Sequence, residues 1–375
     1  MPTDIVGLEV RVFRDFSGLP DEVRESLRCA EKVDVEQGLA WFQNLIRNVF
    51  PNDPGVVLFG LYRDRDVLAL LPLRIIVGER KITALGNFYT SLYQPYLSSE
   101  LTVDELSFML RRVLEEQPGV STVTLSPINI NWAGYELFRS ALQRSGLVTF
   151  KYFCFGNWFL EVSDGWKTYL AGRPGQTRST IKRKSKEFAS AGGILEFCWE
   201  SDRLEYGLEA FSTVYAASWK VPEPFPGFMP GLIRALASSG SLRLGIASLN
   251  GFPIAAQLWI VASGKASIYK LAYHEEYHKY SAGTLLTARL MEYVIEVDQV
   301  KEVDYLIGDD PYKASWMTMR RERWGVVAYN PRTVKGFSLL LTEASGRLAK
   351  LAWIKLNLVF QRVKARFARL KLTGR

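Results

Sequence analysis

Apolar and polar residues alternate over 8–13, and apolar residues then recur every three or four positions over 21–31 and 38–50, which predicts one strand followed by two helices. Three runs rich in strand formers come next, at 56–62, 67–77 and 81–85. The turns between them are Arg63, Asp64, Arg65, Asp66 and then Gly78, Glu79, Arg80, so the runs predict a meander. An aromatic loop at 87–96 leads to a predicted helix at 102–116, a strand at 121–125, a helix at 132–145 closed by Gly146, and a strand at 147–155.

The same order returns in the second half. A strand at 194–199 precedes helices at 204–219 and 228–238. A second meander covers 242–249, 252–262 and 266–273, with turns at Asn250 and Gly251 and at Ser263, Gly264 and Lys265. A helix at 282–297, a strand at 302–307, a helix at 312–324 ended by Gly325 and a strand at 326–329 complete it. Equivalent points keep offsets of about 180 to 186 residues: Asp64 with Asn250, Gly78 with Gly264, Val120 with Val300, Gly146 with Gly325. Such a constant offset predicts a duplicated domain. Outside the repeat stand a strand at 158–162 with a basic helix, Arg178 to Lys186 at its core, and a tail after Arg332.

Length and charge narrow the class. A chain of 375 residues, 48% apolar and 13% aromatic, can bury a large core as two domains. Of its net charge of +8, eleven Lys and Arg against the single acid Glu343 fall in 332–375, leaving the first 331 residues near −2. Only the tail therefore has an electrostatic partner to seek. The three cysteines, Cys29, Cys154 and Cys198, are odd in number and far apart, which predicts reduced thiols in a cytoplasmic protein. The first ten residues carry no basic and apolar leader pattern. The charge-free run 244–264 is broken by Asn250, Gly251, Pro253 and Gln257 in the manner of a hairpin, and no transmembrane helix is predicted.

The chemistry concentrates in 267–286, which supports two readings. His274, Glu275 and His278 spell H-E-x-x-H, a zinc hydrolase pattern if both histidines share one helical face. Against it, 267–273 alternates like a strand and Gly283 would fall inside the required helix. In the other reading, Ser281, Ala282, Gly283 and Thr284 form a small-residue turn between a strand and a helix. The first N–H groups and positive dipole end of that helix then receive an anion.

Around this turn the chain resembles the GNAT acyltransferase superfamily, in its double-lobed branch that includes cellulose-biosynthesis-type acetyltransferases and Fem peptidyltransferases. The resemblance rests on Tyr280-Ser-Ala-Gly-Thr-Leu-Leu286, where the branch has Tyr-Ser-x-Gly-x-Leu-Leu, on Val303-Asp304-Tyr-Leu-Ile-Gly308-Asp309, and on Tyr312-Lys313 with Trp316. It extends to the Trp166-x-x-Tyr169 to Arg183 stretch, more faintly to 41–73, and in all spans about 8–330. The fold this implies is α/β, a mixed sheet in two tandem GNAT-like lobes, 1–156 and 157–331, followed by an amphipathic helical tail at 332–375.

The implied activity is transfer of an acyl group from a thioester, acyl-CoA or an acyl carrier protein, to an amine by direct attack. No bound cofactor and no metal is needed for it. The donor pyrophosphate would rest on Ser281, Ala282, Gly283 and Thr284. The first lobe, whose counterpart region at 94–99 has Pro95 and no glycine, would supply acceptor wall through Asn87, Tyr89 and Tyr93. By position in the superfamily Tyr312 matches the acid that protonates the leaving thiolate, the alternative being a core tyrosine. Asp304 is the candidate base, or else an acid paired with Lys313. His274 falls where the superfamily often has a carboxylate or water relay, and here the chain departs from the pattern. Arg178, Arg183 and Lys313 are candidate contacts to donor phosphate or acceptor, a solvated basic face being the alternative for the arginines. A Fem-like transferase using aminoacyl-tRNA is the second reading, although Fem proteins often carry a long helical hairpin that 188–242 has no room for.

In the tail, Ala352, Leu356, Val359, Phe360, Val363 and Phe367 share a helical stripe beside Arg347, Lys355, Arg362, Arg366 and Arg369. A basic amphipathic helix over 347–371 suits an anionic membrane surface or an acidic carrier protein, which would make the protein membrane-associated. The alternative is a helix docked on the body.

Overall fold

The computed structural model describes residues 7–372, with backbone only for Leu356 and for 358–372. Its elements are β1 (Leu8–Phe13), α1 (Asp21–Val33), α2 (Leu39–Asn48), β2 (Val56–Arg63), β3 (Asp66–Ile76), β4 (Lys81–Ala84), α3 (Val103–Glu116), β5 (Thr122–Ile128), α4 (Ala133–Arg144) and β6 (Val148–Glu161). There follow α5 (Trp166–Ala171), α6 (Gly175–Ser190), β7 (Gly193–Phe197), α7 (Leu204–Ala216), α8 (Phe228–Ser238), β8 (Leu242–Leu249), β9 (Phe252–Ala262), β10 (Lys265–Tyr273), α9 (Ala282–Glu296), β11 (Glu302–Asp304), β12 (Met319–Tyr329) and α10 (Val334–Leu372).

The twelve strands form one sheet in the order β1-β2-β3-β4-β5-β12-β6-β11-β10-β9-β8-β7. Each half contributes a four-stranded antiparallel meander whose last strand pairs in parallel with the next, β4 with β5 and β10 with β11. At the centre the halves exchange strands: β12 of the second lies on β5 of the first, and β6 of the first lies on β11 of the second. The exchange is symmetric to single hydrogen bonds. Asn330 N donates to Ser121 O at 2.9 Å after β12, as Val162 N donates to Lys301 O at 2.8 Å after β6. The outer hairpins repeat as well, with register shifts between Leu61 and Tyr62 and between Ala247 and Ser248. Their turns place Asp64 and Asn250 in the left-handed region, at φ 54° and 48°, where Asx residues are tolerated. The two lobes of the expected tandem α/β fold are thus present.

Two elements differ from the sequence pattern. The strands expected at 147–155 and 158–162 are one fourteen-residue strand, β6, so the division at 156/157 runs through its middle. The helix expected at 312–324 is a 3₁₀ turn (Pro311–Ser315) followed by β12, which pairs with β6 from Met319 to Tyr329. The run Arg320 to Trp324 carries four charged residues and no apolar period of its own, and the unpaired edge of β6 is filled by a strand. Gly325 accordingly ends no helix. A Cβ there would come within 2.3 Å of the Tyr152 ring, whereas Gly146, at φ 89°, does close α4.

The lobes share a core. Leu27, Trp41 and Phe42 pack in one buried cluster with Phe228, Leu232 and Ile246. α2 meets α8 closely enough that a Cβ on Gly231 would sit 2.0 Å from the Asn44 Oδ1, and Asn44 Nδ2 donates to Phe228 O at 3.0 Å. α10 begins against β12 and is tied down by Lys335 Nζ to Glu79 O at 2.8 Å and by Arg347 to Lys151 O at 2.9 Å. Beyond Arg347 the side chains of Leu348, Leu351 and Trp353 are exposed. Of the expected stripe, Leu356, Val359, Phe360, Val363 and Phe367, with Arg362, Arg366 and Arg369, have side chains outside the described residues. No described helix is long and apolar enough to cross a membrane.

Candidate active site

β10 and β11 pair over three residues only, Lys265 with Glu302, Ala266 with Val303 and Ser267 with Asp304. β10 then bulges between Ile268 and Lys270, while the chain leaving β11 turns toward β6, where Tyr305 N donates to Trp158 O at 2.9 Å. The strands diverge, and past Ser267 one edge of β10 faces the gap without a strand partner. The gap is a cleft of about 380 Å³. Its walls come from β10 (Tyr269, Lys270), the segment after β11 (Tyr305, Asp310, Tyr312, Lys313), the loop between α7 and α8 (Trp219, Lys220) and the aromatic loop of the first lobe (Phe88, Tyr89).

The first-lobe loop is held in place by buried polar contacts. Glu36, 3% exposed, accepts from Ser91 N at 2.7 Å, Ser91 Oγ at 2.8 Å and Leu92 N at 3.0 Å. Tyr269 donates to Tyr89 O at 3.0 Å, and Tyr89 stacks on Phe228 at 4.0 Å between ring centroids. The Tyr89 hydroxyl donates to Glu223, which also receives Lys270 Nζ at 2.7 Å. Burial would raise the Glu223 carboxyl, but the bonds from Lys270, Tyr215 and Tyr89 outweigh it and hold it below the usual carboxylate value.

The other cleft groups are perturbed by burial. Lys220 is pushed down to about 8 by burial and by the neighbouring Lys270 ammonium. Lys313 is lowered by burial, which outweighs Asp310 at 3.5 Å, and its Nζ donates to the carbonyls of Ile307 at 2.6 Å and Gly308 at 3.2 Å. Tyr312 is raised to about 12 by burial and by Asp310, so it keeps its proton at neutral pH, and it stands edge-on to Tyr305.

At the end of β10 a 3₁₀ turn (Glu275–Tyr280) leads to Ser281 in the left-handed region and then to α9. No side chain caps α9, and its first turn is fixed from below: Gly283 O accepts from Gln257 Nε2 at 2.9 Å and from Thr287 Oγ1 at 3.0 Å. As in the first turn of any helix, the N–H groups of Ala282, Gly283 and Thr284 have no partner within the helix. A Cβ on Gly283 would meet only the Tyr273 ring, at 3.7 Å, and Tyr273 packs on Trp219 of the cleft wall at 4.4 Å between centroids. One aromatic pair separates the helix start from the cleft.

The sequence-selected residues divide accordingly. Tyr89, Tyr312 and Lys313 meet in the cleft. Asp304, the expected base, does not line it. Asp304 is 1% exposed and accepts from Arg321 at 2.6 Å, Asn157 at 2.5 Å and Leu306 N at 2.6 Å, so it is a structural anion whose partner is Arg321 and not Lys313. Burial alone would raise it, but Arg321, Lys265 and Arg323 hold it below its ordinary value. Tyr93 is buried in the first-lobe core rather than in the acceptor wall. Arg178 and Arg183 are exposed on α6, Arg178 donating to Arg173 O at 3.2 Å.

His274 packs edge-on to Tyr277, at 5.0 Å between centroids, with its Nδ1 buried and unpartnered, and it too lies away from the cleft walls. His278 is exposed, its Nδ1 against Glu275 O at 2.9 Å. Because the intervening turn is 3₁₀, with three residues per turn, positions i and i+4 do not share a face, and the H-E-x-x-H spacing loses its meaning. Among the described residues no group of three or more His, Cys, Asp and Glu converges on a metal-sized site.

Sequence reasoning missed Lys220, Glu223 and Lys270. Lys270 is hidden by the bulge, which breaks strand alternation at that point. Lys220 and Glu223 lie in a Pro- and aromatic-rich loop, where charged residues between Trp219 and Phe225 were the one available signal.

Residues 175–314 match the family described as an acetyltransferase (GNAT) domain. No curated protein matches the chain. Among solved structures the fold is similar to FemX, at TM-score 0.59 and 11% identity over 85% of this chain and 97% of that one. It is also similar to the C-terminal domain of an Agrobacterium fabrum protein named as a lysylphosphatidylglycerol synthetase, at TM-score 0.50 and 13% identity over 87% and 96%. A tandem GNAT protein from the clavulanic acid biosynthesis pathway aligns at TM-score 0.49 and 14% identity over 85% and 98%. The family match on 175–314 falls on the stretch that supplies most of the cleft, and the second lobe's order of elements is repeated in the first, so the fold is a tandem pair of lobes whose second carries the acetyltransferase (GNAT) domain match.

Proposed function

We propose that the cleft transfers an acyl group from a thioester donor, acyl-CoA or an acyl carrier protein, to the nitrogen of an amine acceptor. The observation that carries this reading is the β10/β11 divergence, with an uncapped helix start at one end and Tyr312 on the opposite wall. The donor's phosphates lie on the N–H groups of Ala282, Gly283 and Thr284, and its amide chain runs along the free edge of β10. The amine attacks the thioester carbonyl, the C–N bond forms, and the C–S bond breaks as the tetrahedral intermediate collapses. Tyr312, protonated at neutral pH, donates to the departing sulfur. The proton lost by the amine goes to Asp310, the carboxylate on the cleft wall, or through it to water.

The likeness to FemX supports a second reading, an aminoacyl-tRNA donor. Between Phe188 and Leu242 the chain has only β7, the thirteen-residue α7 and the eleven-residue α8, which favours the thioester. The test is amine-dependent release of free thiol from acyl-CoA. Release that disappears in Tyr312→Phe supports the first reading, and acyl transfer from charged tRNA with none from acyl-CoA replaces it with the second. The tail over 347–371 is assigned in the same proposal to an anionic membrane surface or carrier protein, since Leu348, Leu351 and Trp353 are exposed beside Lys350 and Lys355. A chain ending at residue 347 is expected to lose co-sedimentation with phosphatidylglycerol vesicles. Equal sedimentation of both chains removes the membrane surface and leaves the carrier protein.

A further inference from the structure

Lys220 is the one ammonium group of the cleft wall with no ion-pair or hydrogen-bond partner for its side chain among the described residues. Lys270 is neutralised by Glu223 at 2.7 Å, and Lys313 by Asp310 at 3.5 Å and by three carbonyls. Lys220 has only aromatic faces, its Nζ lying 5.5 Å from the Tyr215 ring and 5.8 Å from the Trp219 ring. Burial and the ammonium groups of Lys270 and Lys313 all disfavour its charge, and Glu223, the one acid working the other way, is already shared by Lys270 and two tyrosines. A half-buried cation without a counter-charge is destabilising, and a ligand that brings the counter-charge removes the cost.

On the reading that this cleft holds the amine acceptor, we propose that Lys220 binds an oxyanion of that acceptor, a carboxylate or a phosphate, so that the acceptor is an amino acid or amino phosphate and not a simple amine. A simple amine would enter as an ammonium among three lysines. An acceptor with an anionic group sets that group on Lys220 and its nitrogen toward Asp310, with its carbon frame against Phe88, Tyr89 and Trp219. The donor's phosphates do not compete for Lys220, because the start of α9 offers them their own N–H groups.

Calorimetric titration of the full chain, without acyl donor, tests this. The probes are glycine, aminomethylphosphonate, methylamine and coenzyme A, each against the parent chain, Lys220→Gln and Lys220→Arg. Binding of glycine or aminomethylphosphonate at least tenfold tighter than methylamine is expected, weakened tenfold or more by Lys220→Gln and held within about threefold by Lys220→Arg. Coenzyme A affinity is expected to be the same in all three chains. Lys220→Gln should also melt at the same temperature as the parent or higher, which separates lost binding from lost folding. The proposal is overturned if neither anionic amine binds, if methylamine binds as tightly, or if Lys220→Gln leaves the anionic amines unaffected. It is also overturned if that substitution weakens coenzyme A instead, which would assign Lys220 to the donor. Because no donor is present, binding of an anionic amine through Lys220 upholds the site even where thiol release fails, so the two readings fall separately.

Discussion

The hydroxyl of Tyr89 donates to the carboxylate of Glu223 at 2.5 Å, and Lys270 reaches the other oxygen of the same carboxylate at 2.7 Å. Three stretches far apart in the chain, one from the first lobe and two from the second, are thereby locked around one wall of the cleft. Tyr89→Phe keeps the ring stacked on Phe228 and removes only the donor. A hydrogen bond to a charged group contributes about 1.5–3 kcal/mol, and here Glu223 keeps Lys270 and Tyr215, so the expected loss in urea unfolding is about 1–2 kcal/mol. Turnover should fall together with stability. Unchanged unfolding and unchanged turnover would show that the clamp does not shape the cleft.

Gly283→Asp separates anion binding from folding. The added Cβ meets only the Tyr273 ring, at 3.7 Å. A carboxylate in the first turn of a helix contributes roughly 0.3–1 kcal/mol through the dipole, and replacing glycine within a helix adds to this, so the melting temperature should hold or rise. The same carboxylate stands where the donor's phosphates are proposed to rest, and affinity for coenzyme A should drop about tenfold or more. Equal affinity in the two chains, measured by calorimetry, would remove the donor from this turn.

Much of the fold could be read from the sequence because each lobe repeats the same hydrophobic order, and Asp64 and Asn250 mark equivalent turns in both. The strand exchange could not be read. Which strand fills the gap between β5 and β6 depends on pairing between residues about 170 positions apart, and no local period encodes that. The segment from Met319 to Trp324 differs from the expected helix for this reason: its two apolar residues stand five positions apart and define no period, and its pairing with β6 makes it a strand. In the site, Tyr312, Lys313 and the start of α9 were visible as a motif. Lys220, Glu223 and Lys270 were not, since a bulge and an irregular loop bring them together. Asp304 had the right position along β11, but burial beside Arg321 and Arg323 sets its role, and burial is a property of the assembled sheet.

Asp304→Asn should therefore behave as a folding variant. Removing one member of a buried ionic group leaves the others unpaired and costs about 3–5 kcal/mol, here through Arg321 and Arg323. Asp304 titrates below its ordinary value in the folded chain. Its stabilisation is complete above the unfolded value of about 3.8 and is lost as pH falls through the lower folded value. The parent chain should lose stability steeply below about pH 4, and Asp304→Asn should show a lower melting temperature at pH 7 with a shallower acid slope. A variant as stable as the parent but without turnover would return Asp304 to the role of base.

The pH dependence of anion binding follows from Lys220, whose charged form is needed and whose value is about 8. The acetate dissociation constant should be flat below pH 8 and rise about tenfold per pH unit above it. Of the groups facing Lys220, Glu223 stays ionised, Tyr89 and Tyr215 stay protonated because burial and Glu223 raise them, Lys270 is paired with Glu223, and Lys313, itself lowered by burial, is held by Asp310 and by backbone carbonyls. Glu36, beneath Ser91, is also pushed up to about 8, by burial and by Asp34. The stability effects of the two have opposite signs. The Lys220 charge costs stability below pH 8, and that cost is relieved between about 8 and 10.5. The protonated Glu36 stabilises most below about 4.5, and that contribution is lost as pH rises through 8. Glu36→Gln should then leave the alkaline limb of acetate binding in place, while Lys220→Arg should move it beyond pH 10. If Glu36→Gln abolishes the limb and Lys220→Arg does not shift it, the titrating group is Glu36 acting through the Ser91 loop.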